Sequence, residues 1–404
     1  MAYELSRQVR ERLRAERKRR GWDTLRMAQA LRDAAEFPHK MAAVSSIQRN
    51  VERWESGKVA GISERYRLLY CRALDMSEEE LFHSDDLLVP DALMPRPVAE
   101  DVPVIRSMLA ALTASDRQFG GEHARRYAAS YLARVVQPRL HAHAPEPLRR
   151  ELFTVATEFA MRVSAMHMDA GQTSAALQLL ADAASMAHES DDAALSAWVL
   201  SRRGEYELQL SATARPGRRR AHIDRALAYT GGACGLARQA GPLSRAFIHA
   251  KHALAWSMAG EHAETQRALA AMWNAYEQPA SSAEPAWADA YSWGHLRHEE
   301  ARCMVNVGLG DHAVRAVEEA LAVRRDLRPR ALSLGVLAIG HAQSRRIDQA
   351  CEAAHELIAL AGRMPSVRVR LRLAEVLRAL APYRSVPEVA EVRETARPVL
   401  RPSR

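Results

Sequence analysis

Three short segments near the start of the chain repeat apolar residues at helical spacing. Leu5, Val9 and Leu13 recur every four residues, Leu25, Ala28 and Leu31 every three, and Ile47, Val51 and Trp54 follow i, i+4, i+7. Residues so spaced share one face of an α-helix, so each segment predicts a helix with a single buried stripe. Ala28 is small enough for a close helix crossing. In the third segment, Ser45 three residues before Gln48 reads as a capping box that starts the helix, and Gly57 as the residue that ends it. This helical block runs from about Tyr3 to Phe82. Pro90, Pro95, Pro97 and Pro103 then crowd a partly acidic stretch that no helix interior tolerates, which predicts a linker over 84–103.

From Val104 to about Pro398 the pattern is again helical, in segments of ~12–20 residues separated by Gly- or Pro-containing turns. An antiparallel array of helices follows, with little room for strands. The expected fold class is all-α, divided as 1–83, a linker, and 104–398. Four turns in the second part lead into Ala-rich helices: Gly171-Gln-Thr-Ser-Ala-Ala176, Gly260-Glu-His-Ala, Gly310-Asp-His-Ala-Val-Arg-Ala316 and Arg346-Ile-Asp-Gln-Ala350. Small residues after a turn let paired helices approach closely, as stacked helical repeats require. An unrelated Ala-rich helical domain is the other account, since the spacing of the copies drifts.

Composition adds limits. The chain of 404 residues is 48% hydrophobic and 26% charged, ordinary for a soluble globular protein. No apolar run nears the ~18 residues of a membrane span, and the first residues lack the apolar core of a secretion signal, so no membrane and a cytoplasmic location are expected. Cys71, Cys234, Cys303 and Cys351 are widely spaced and read as reduced thiols. Charge is more informative. Residues 1–72 hold 17 Lys/Arg against 9 Asp/Glu, an excess of 8; the whole chain is also +8, so residues 73–404 sum to zero. A local basic excess is the electrostatic footprint of a phosphate-binding module.

With Ile47, Val51 and Trp54 turned inward, Ser46, Gln48, Arg49, Asn50 and Arg53 point outward. Arg pairs bidentately with guanine, and Gln or Asn with adenine, in the major groove of double-stranded DNA. Short hydroxyls such as Ser45 and Ser46 suit phosphates at a helix N-terminus. Arg17, Lys18, Arg19, Arg20, Lys40 and Lys58 are the expected backbone contacts. A solvated polar face is the alternative.

These residues resemble the helix-turn-helix of the phage-repressor-like, or XRE, family of bacterial regulators. Trp54-Glu55-Ser56-Gly57-Lys58 is similar to the motif that closes its recognition helix, and Tyr66-Arg-Leu-Leu-Tyr70 through Leu81-Phe82 to its last helices. Farther on, Asp116-Arg-Gln-Phe-Gly-Gly-Glu-His-Ala124, Tyr131-Leu132 and Met168-Asp-Ala-Gly171 resemble actinobacterial regulators that add tetratricopeptide-like repeats. One departure is the long connection Asp33–Ala43, containing Pro38, where the family has a tight turn; it leaves the tilt of the recognition helix open. The resemblance implies a homodimeric transcription regulator whose repeats bind a peptide, small-molecule or protein effector. Candidate groove residues are Trp198, Arg202, Tyr206, Lys251, Trp256, Arg297, Arg302 and Asn306. A protein-interaction scaffold whose N-terminal helices serve assembly is the alternative.

Other features carry less. His295, His298, Glu299 and Cys303 share one segment but have no second cluster, so surface histidines and a core cysteine are expected rather than a metal site. The Arg-rich segment 363–404 reads as a solvated capping helix with a frayed end. No phosphate loop, nucleophile elbow or dinucleotide fingerprint is present, so neither an enzyme nor a cofactor is expected.

Overall fold

The computed structural model describes residues 2–5, 7–59, 61–82, 96–119, 121–279, 284–285, 287–364 and 366–400. Nearly all of them are helical, and none of the helices is long and apolar enough to cross a membrane. The chain divides into two compact units, Met1–Leu93 and Met94–Arg404.

The first unit contains α1 (Arg7–Arg19), α2 (Thr24–Asp33), α3 (Val44–Glu55), α4 (Glu64–Leu74) and α5 (Glu78–Phe82). Its core gathers Leu5, Val9, Leu13, Ala28, Leu31, Ile47, Val51 and Trp54, as the spacing predicts. Two details differ. Leu25 is 43% exposed, and Met27 is buried in its place. At ~100° per residue, 27, 28 and 31 fall on one arc and 25 lies well outside it. The chain also does not begin in a helix. Strand β1 (Ala2–Glu4) pairs antiparallel with β2 (Gly61–Ser63), with Tyr3 opposite Ile62. Three-residue strands leave no periodicity to read, and it is Ile62, buried to 1% exposure, that anchors the ladder in the core.

Residues 84–95 of the expected linker lie outside the described residues. Its last part is not linker: α6 (Asp101–Phe119) already includes Pro103. In a first turn the missing N–H has no intrahelical partner to lose. Asp101 accepts the amide of Val98 at 2.9 Å and fixes the start.

The second unit continues with α7 (Gly121–Tyr131), a π-helical turn, α8 (Gln137–His141) and α9 (Glu146–Asp169). Then come α10 (Thr173–Glu189), α11 (Ala193–Thr213), α12 (Pro216–Leu236), α13 (Pro242–Ala259), α14 (His262–Tyr276), α15 (Trp293–Asn306), α16 (Gly310–Val323), α17 (Leu327–Gln343), α18 (Ile347–Ala361), α19 (Val367–Ala379) and α20 (Pro387–Leu400). From α9 onward they pack as consecutive hairpins, and the first helix of each hairpin also touches the first helix of the next.

Four hairpin turns share one hydrogen-bonding pattern. Gly171, Gly260, Gly308 and Arg345 adopt positive φ. The following amide donates five residues back in each case: Gln172 to His167, Glu261 to Trp256, Leu309 to Met304 and Arg346 to His341, at 2.9–3.1 Å. This is the Schellman closure, which satisfies the last carbonyls of a helix. Five residues after each positive-φ position stands a small buried residue: Ala176, Thr265, Ala313 and Ala350. The turn glycine of the third copy is thus Gly308. Gly310 serves packing instead, since a Cβ there would lie 2.6 Å from the Gly340 carbonyl oxygen.

Buried ion pairs tie the beginning of this array to its end. Asp169, closing α9, accepts from Ser366 Oγ (2.7 Å), Arg368 Nε (3.0 Å) and Arg328 Nη1 (3.1 Å). Arg328 also holds Asp116 of α6 through both terminal nitrogens, at 3.0 and 2.6 Å. Burial alone would raise both carboxyls. Arg328 beside Asp116, and Arg368 with Arg328 beside Asp169, instead hold them below their ordinary 3.8. A depressed carboxyl contributes stability that is complete above the unfolded value, near pH 4, and lost as pH falls through the folded value. The urea midpoint should therefore fall as pH is lowered from about 4.5 to 2.5. Asp169→Asn should be less stable by about 3 kcal/mol at pH 7 and show a flatter acid limb. A wild-type midpoint that does not move over this window would refute the assignment.

Candidate nucleic-acid interface

The polar face of α3 is held in place from its apolar side. Ile47 and Val51 are fully buried, and Trp54 is 5% exposed. Trp54 packs on Tyr66 at 5.0 Å between centroids and donates its indole N–H to the Gly61 carbonyl at 3.2 Å. Gly57, with φ +77°, ends the helix as expected. A Cβ there would meet Arg10 Nη1 at 2.5 Å, so packing as well as backbone conformation selects glycine.

The start differs from expectation. α3 begins at Val44 after Ala43, with no side-chain cap. Ser45 is therefore inside the first turn, and Gln48 is two residues too far along to complete a capping box. No acidic residue occupies that first turn. Uncapped amides beside Ser45 and Ser46 leave the positive end of the helix dipole open to an anion. By contrast, the start of α2 is closed by Asp23, which accepts the Arg26 amide at 2.6 Å.

Along the outer face, Ser45, Arg49 and Arg53 are exposed, while Ser46, Gln48 and Asn50 are half-buried. Arg49 lies back along its own helix, near the Ser45 carbonyl and Ser46 Oγ at 3.4 Å each. Arg53 and Lys58 form no ion pair among the described residues. Gln48 is engaged elsewhere. Its amide donates to Thr24 Oγ1 at 3.2 Å and to Glu52 Oε1 at 3.1 Å, and Thr24 closes the triangle by donating to Glu52 at 3.0 Å. It joins α3 to α2, and its amide is not free in this arrangement. Glu52 was absent from the outward set, although its spacing four residues after Gln48 signals the contact.

The basic cluster of α1 also separates. Lys18 and Arg19 are exposed, with Arg19 paired to Glu16 at 2.9 Å. Arg20 is drawn to Glu16 and to the Leu74 carbonyl. Arg17 is not a phosphate contact. It is 7% exposed and forms two 2.7 Å hydrogen bonds to the Glu55 carboxylate. Those bonds raise its pKa despite desolvation. Lys40 ends a 3₁₀ turn, Pro38–Lys40, between α2 and α3, and its side chain, an expected phosphate contact, lies outside what the structure describes.

The eight residues expected to line a groove in the second unit do not form one set. Arg202 of α11, Lys251 of α13 and Arg302 of α15 converge on Glu205 and Glu299, whereas Tyr206 of α11 accepts from Ser164 Oγ at 3.2 Å. Lys251 Nζ sits 3.1 Å from each carboxylate and is 1% exposed, so its charge is consumed internally. Burial would raise Glu205, but Arg202 and Lys251 bring it down to about 2. Trp198 donates to Tyr291 at 2.9 Å and stacks on Trp287. The other three face different partners: Arg297 binds Glu319 and Glu300, Trp256 donates to His252, and Asn306 to Ser257.

Of the two expected surface histidines, His298 is interior and His295 is half-buried. His298 is 4% exposed and bonded to Ser333 at 3.0 Å, and burial lowers His295 to about 3. Cys303 is in the core, its thiol pushed up to about 12 by burial. No family model and no curated protein matches the chain.

Because Arg17 and Glu55 are both buried, removing either partner strands the other's charge. Arg17→Ala should cost about 3 kcal/mol, read as a lower thermal or urea midpoint. The apolar double change Arg17→Met with Glu55→Leu should recover part of that loss. An unchanged midpoint for Arg17→Ala would show that the pair contributes nothing.

Proposed function

We propose that the chain is a sequence-specific, double-stranded DNA-binding transcription regulator of the XRE type. In this reading α2 and α3 form the helix-turn-helix, with α3 in the major groove. The observation that carries it is the division of α3: a buried Ile47/Val51/Trp54 face, an uncapped N-terminus with Ser45 and Ser46, and exposed Arg49 and Arg53 opposite. Arg49 and Arg53 are assigned to base edges, with Asn50 beside them. Ser45, Ser46, Arg19, Lys40 and Lys58 are assigned to phosphates. Gln48 acts mainly by holding α3 against α2. Two such modules in a homodimer would read two half-sites one helical turn apart.

The hairpins of the second unit support a tetratricopeptide-like array that senses an effector, because equivalent turns recur with small residues at equivalent places. A protein-scaffold reading has one observation in its favour, the exposed Val104 (60%) and Tyr127 (77%) on the first helices of that unit.

The test is fluorescence anisotropy on a duplex selected from a random pool, run beside an unrelated duplex. Arg49→Ala and Arg53→Ala should each lose about 1–3 kcal/mol of discrimination between the two. Lys58→Ala should weaken both duplexes alike and reduce the salt slope by about one. No retention of any duplex at low salt would refute the DNA reading and favour the scaffold. Equal loss on both duplexes for the arginine variants would refute base reading by α3.

A further inference from the structure

Helix α12 carries Gly231, Gly232 and Gly235 in its last turns. Glycine weakens a helix interior through its backbone entropy, so three in one stretch call for a compensating reason. Gly232 has one in the protein's own packing, since a Cβ there would press on Leu200 at 3.2 Å. The other two do not. A Cβ on Gly231 would make only an ordinary 3.6 Å contact with His252, and one on Gly235 would meet nothing within 4 Å.

Both of those glycines line a cavity of about 450 Å³ between α12 and α13, together with Cys234, Arg238, Arg245 and His249. The volume is within the usual range for small-molecule sites. None of the lining residues is acidic. Arg238 is exposed and has no hydrogen bond or ion pair among the described residues. Arg245 donates from Nη2 to Gln278 Oε1 at 2.5 Å, which leaves its buried Nε without an acceptor. A carboxylate does stand at the head of α13, but it is engaged there: Glu284 accepts from Leu243 N (2.6 Å), Ser244 N (3.2 Å) and Ser244 Oγ (2.7 Å).

The remaining wall groups do not cancel this positive charge. Cys234 Sγ lies 3.6 Å from His249 Nδ1. Burial pushes the thiol up to about 11, so it stays protonated. Burial first, and then Arg245, lowers His249, which keeps the imidazole neutral. The cavity therefore presents two guanidinium groups, one with an unused donor, above a floor of exposed helix backbone. Guanidinium forks match carboxylate, phosphate and sulfonate heads.

We propose that this cavity is a binding site for a small organic anion, its head held by Arg238 and Arg245 and its body laid against the backbone opened by Gly231 and Gly235. The site shares no residue with the α11–α13–α15 charge cluster and does not rest on the DNA-binding reading.

The test uses the full chain and two fluorescent probes of similar ring size. One is the anionic 8-anilinonaphthalene-1-sulfonate and the other the neutral N-phenyl-1-naphthylamine. The sulfonate should bind at one saturable site. Arg238→Ala combined with Arg245→Ala should weaken it at least tenfold while changing the neutral probe less than twofold. Gly235→Leu, which places a side chain in open space on a helix and should fold normally, should abolish binding of both. Circular dichroism and a retained cooperative urea transition check the fold of each variant, the Gly235→Leu midpoint being expected no lower than that of the unchanged chain. Absence of a saturable sulfonate site, sulfonate binding indifferent to either change, or equal loss of both probes in the arginine variant would each overturn the proposal. Because no DNA enters the measurement, its failure and the failure of the DNA reading are separate results.

Discussion

One guanidinium sets the position of the first unit's polar face. Arg17, near the end of α1, grips both oxygens of Glu55 at the end of α3 and also donates to the Trp22 carbonyl at 2.8 Å in the turn before α2. A bidentate, charge-assisted contact fixes direction as well as distance. With Trp54 bonded to Gly61 on one side and Arg10 packed over Gly57 beyond the end, α3 has little freedom to roll. Which side chains reach outward from α3 is therefore decided by residues that never reach outward themselves.

The second unit uses the same device over a longer range. Four of its hairpins close on Schellman turns followed by a small buried residue, which set how the two helices of each meet. Such local contacts do not by themselves determine where the last hairpin stands relative to the first. The pairing of Asp116 and Asp169 with Arg328 and Arg368 supplies that constraint, across sequence separations of 159 to 212 residues. Burying these charges costs desolvation, and their value lies in geometry: an isolated carboxylate at Asp169 would be worse than none. The Glu205–Lys251–Glu299 cluster plays a similar part across α11, α13 and α15.

The helical content and the inward stripe of α3 were legible in the sequence, because burial of a helix face leaves a period that survives in Ile47, Val51 and Trp54. What was not legible depends on partners distant in the chain. Leu25 and Met27 are both apolar, and a spacing of three fits Leu25 as readily as the tighter arc of 27, 28 and 31 fits Met27, which is the one buried. Ser45 has the chemistry of a cap, yet the capping position is Ala43, two residues earlier, where the backbone is still extended. Gly310 looked like the turn residue because it precedes Asp-His-Ala, whereas its lack of a side chain serves the close approach of Gly340. Arg17 and Glu55 stand 38 residues apart, and nothing local distinguishes a buried arginine from the exposed ones beside it.

The long connection between α2 and α3 can now be placed among these constraints. It does not hang loose from α3: Met41 is 8% exposed in the core, Arg65 reaches its sulfur at 2.8 Å, and Arg32 donates to the Pro38 carbonyl at 3.2 Å. The contacts that orient α3 are made by its inner face, by Glu55 at its end and by the Gln48–Thr24–Glu52 triangle, none of which belongs to the connection. A longer loop ahead of a helix fixed in this way adds surface beside its N-terminus without re-aiming it. In the DNA-binding reading, the groove register of Arg49 and Arg53 would then depend on Arg17 rather than on Pro38.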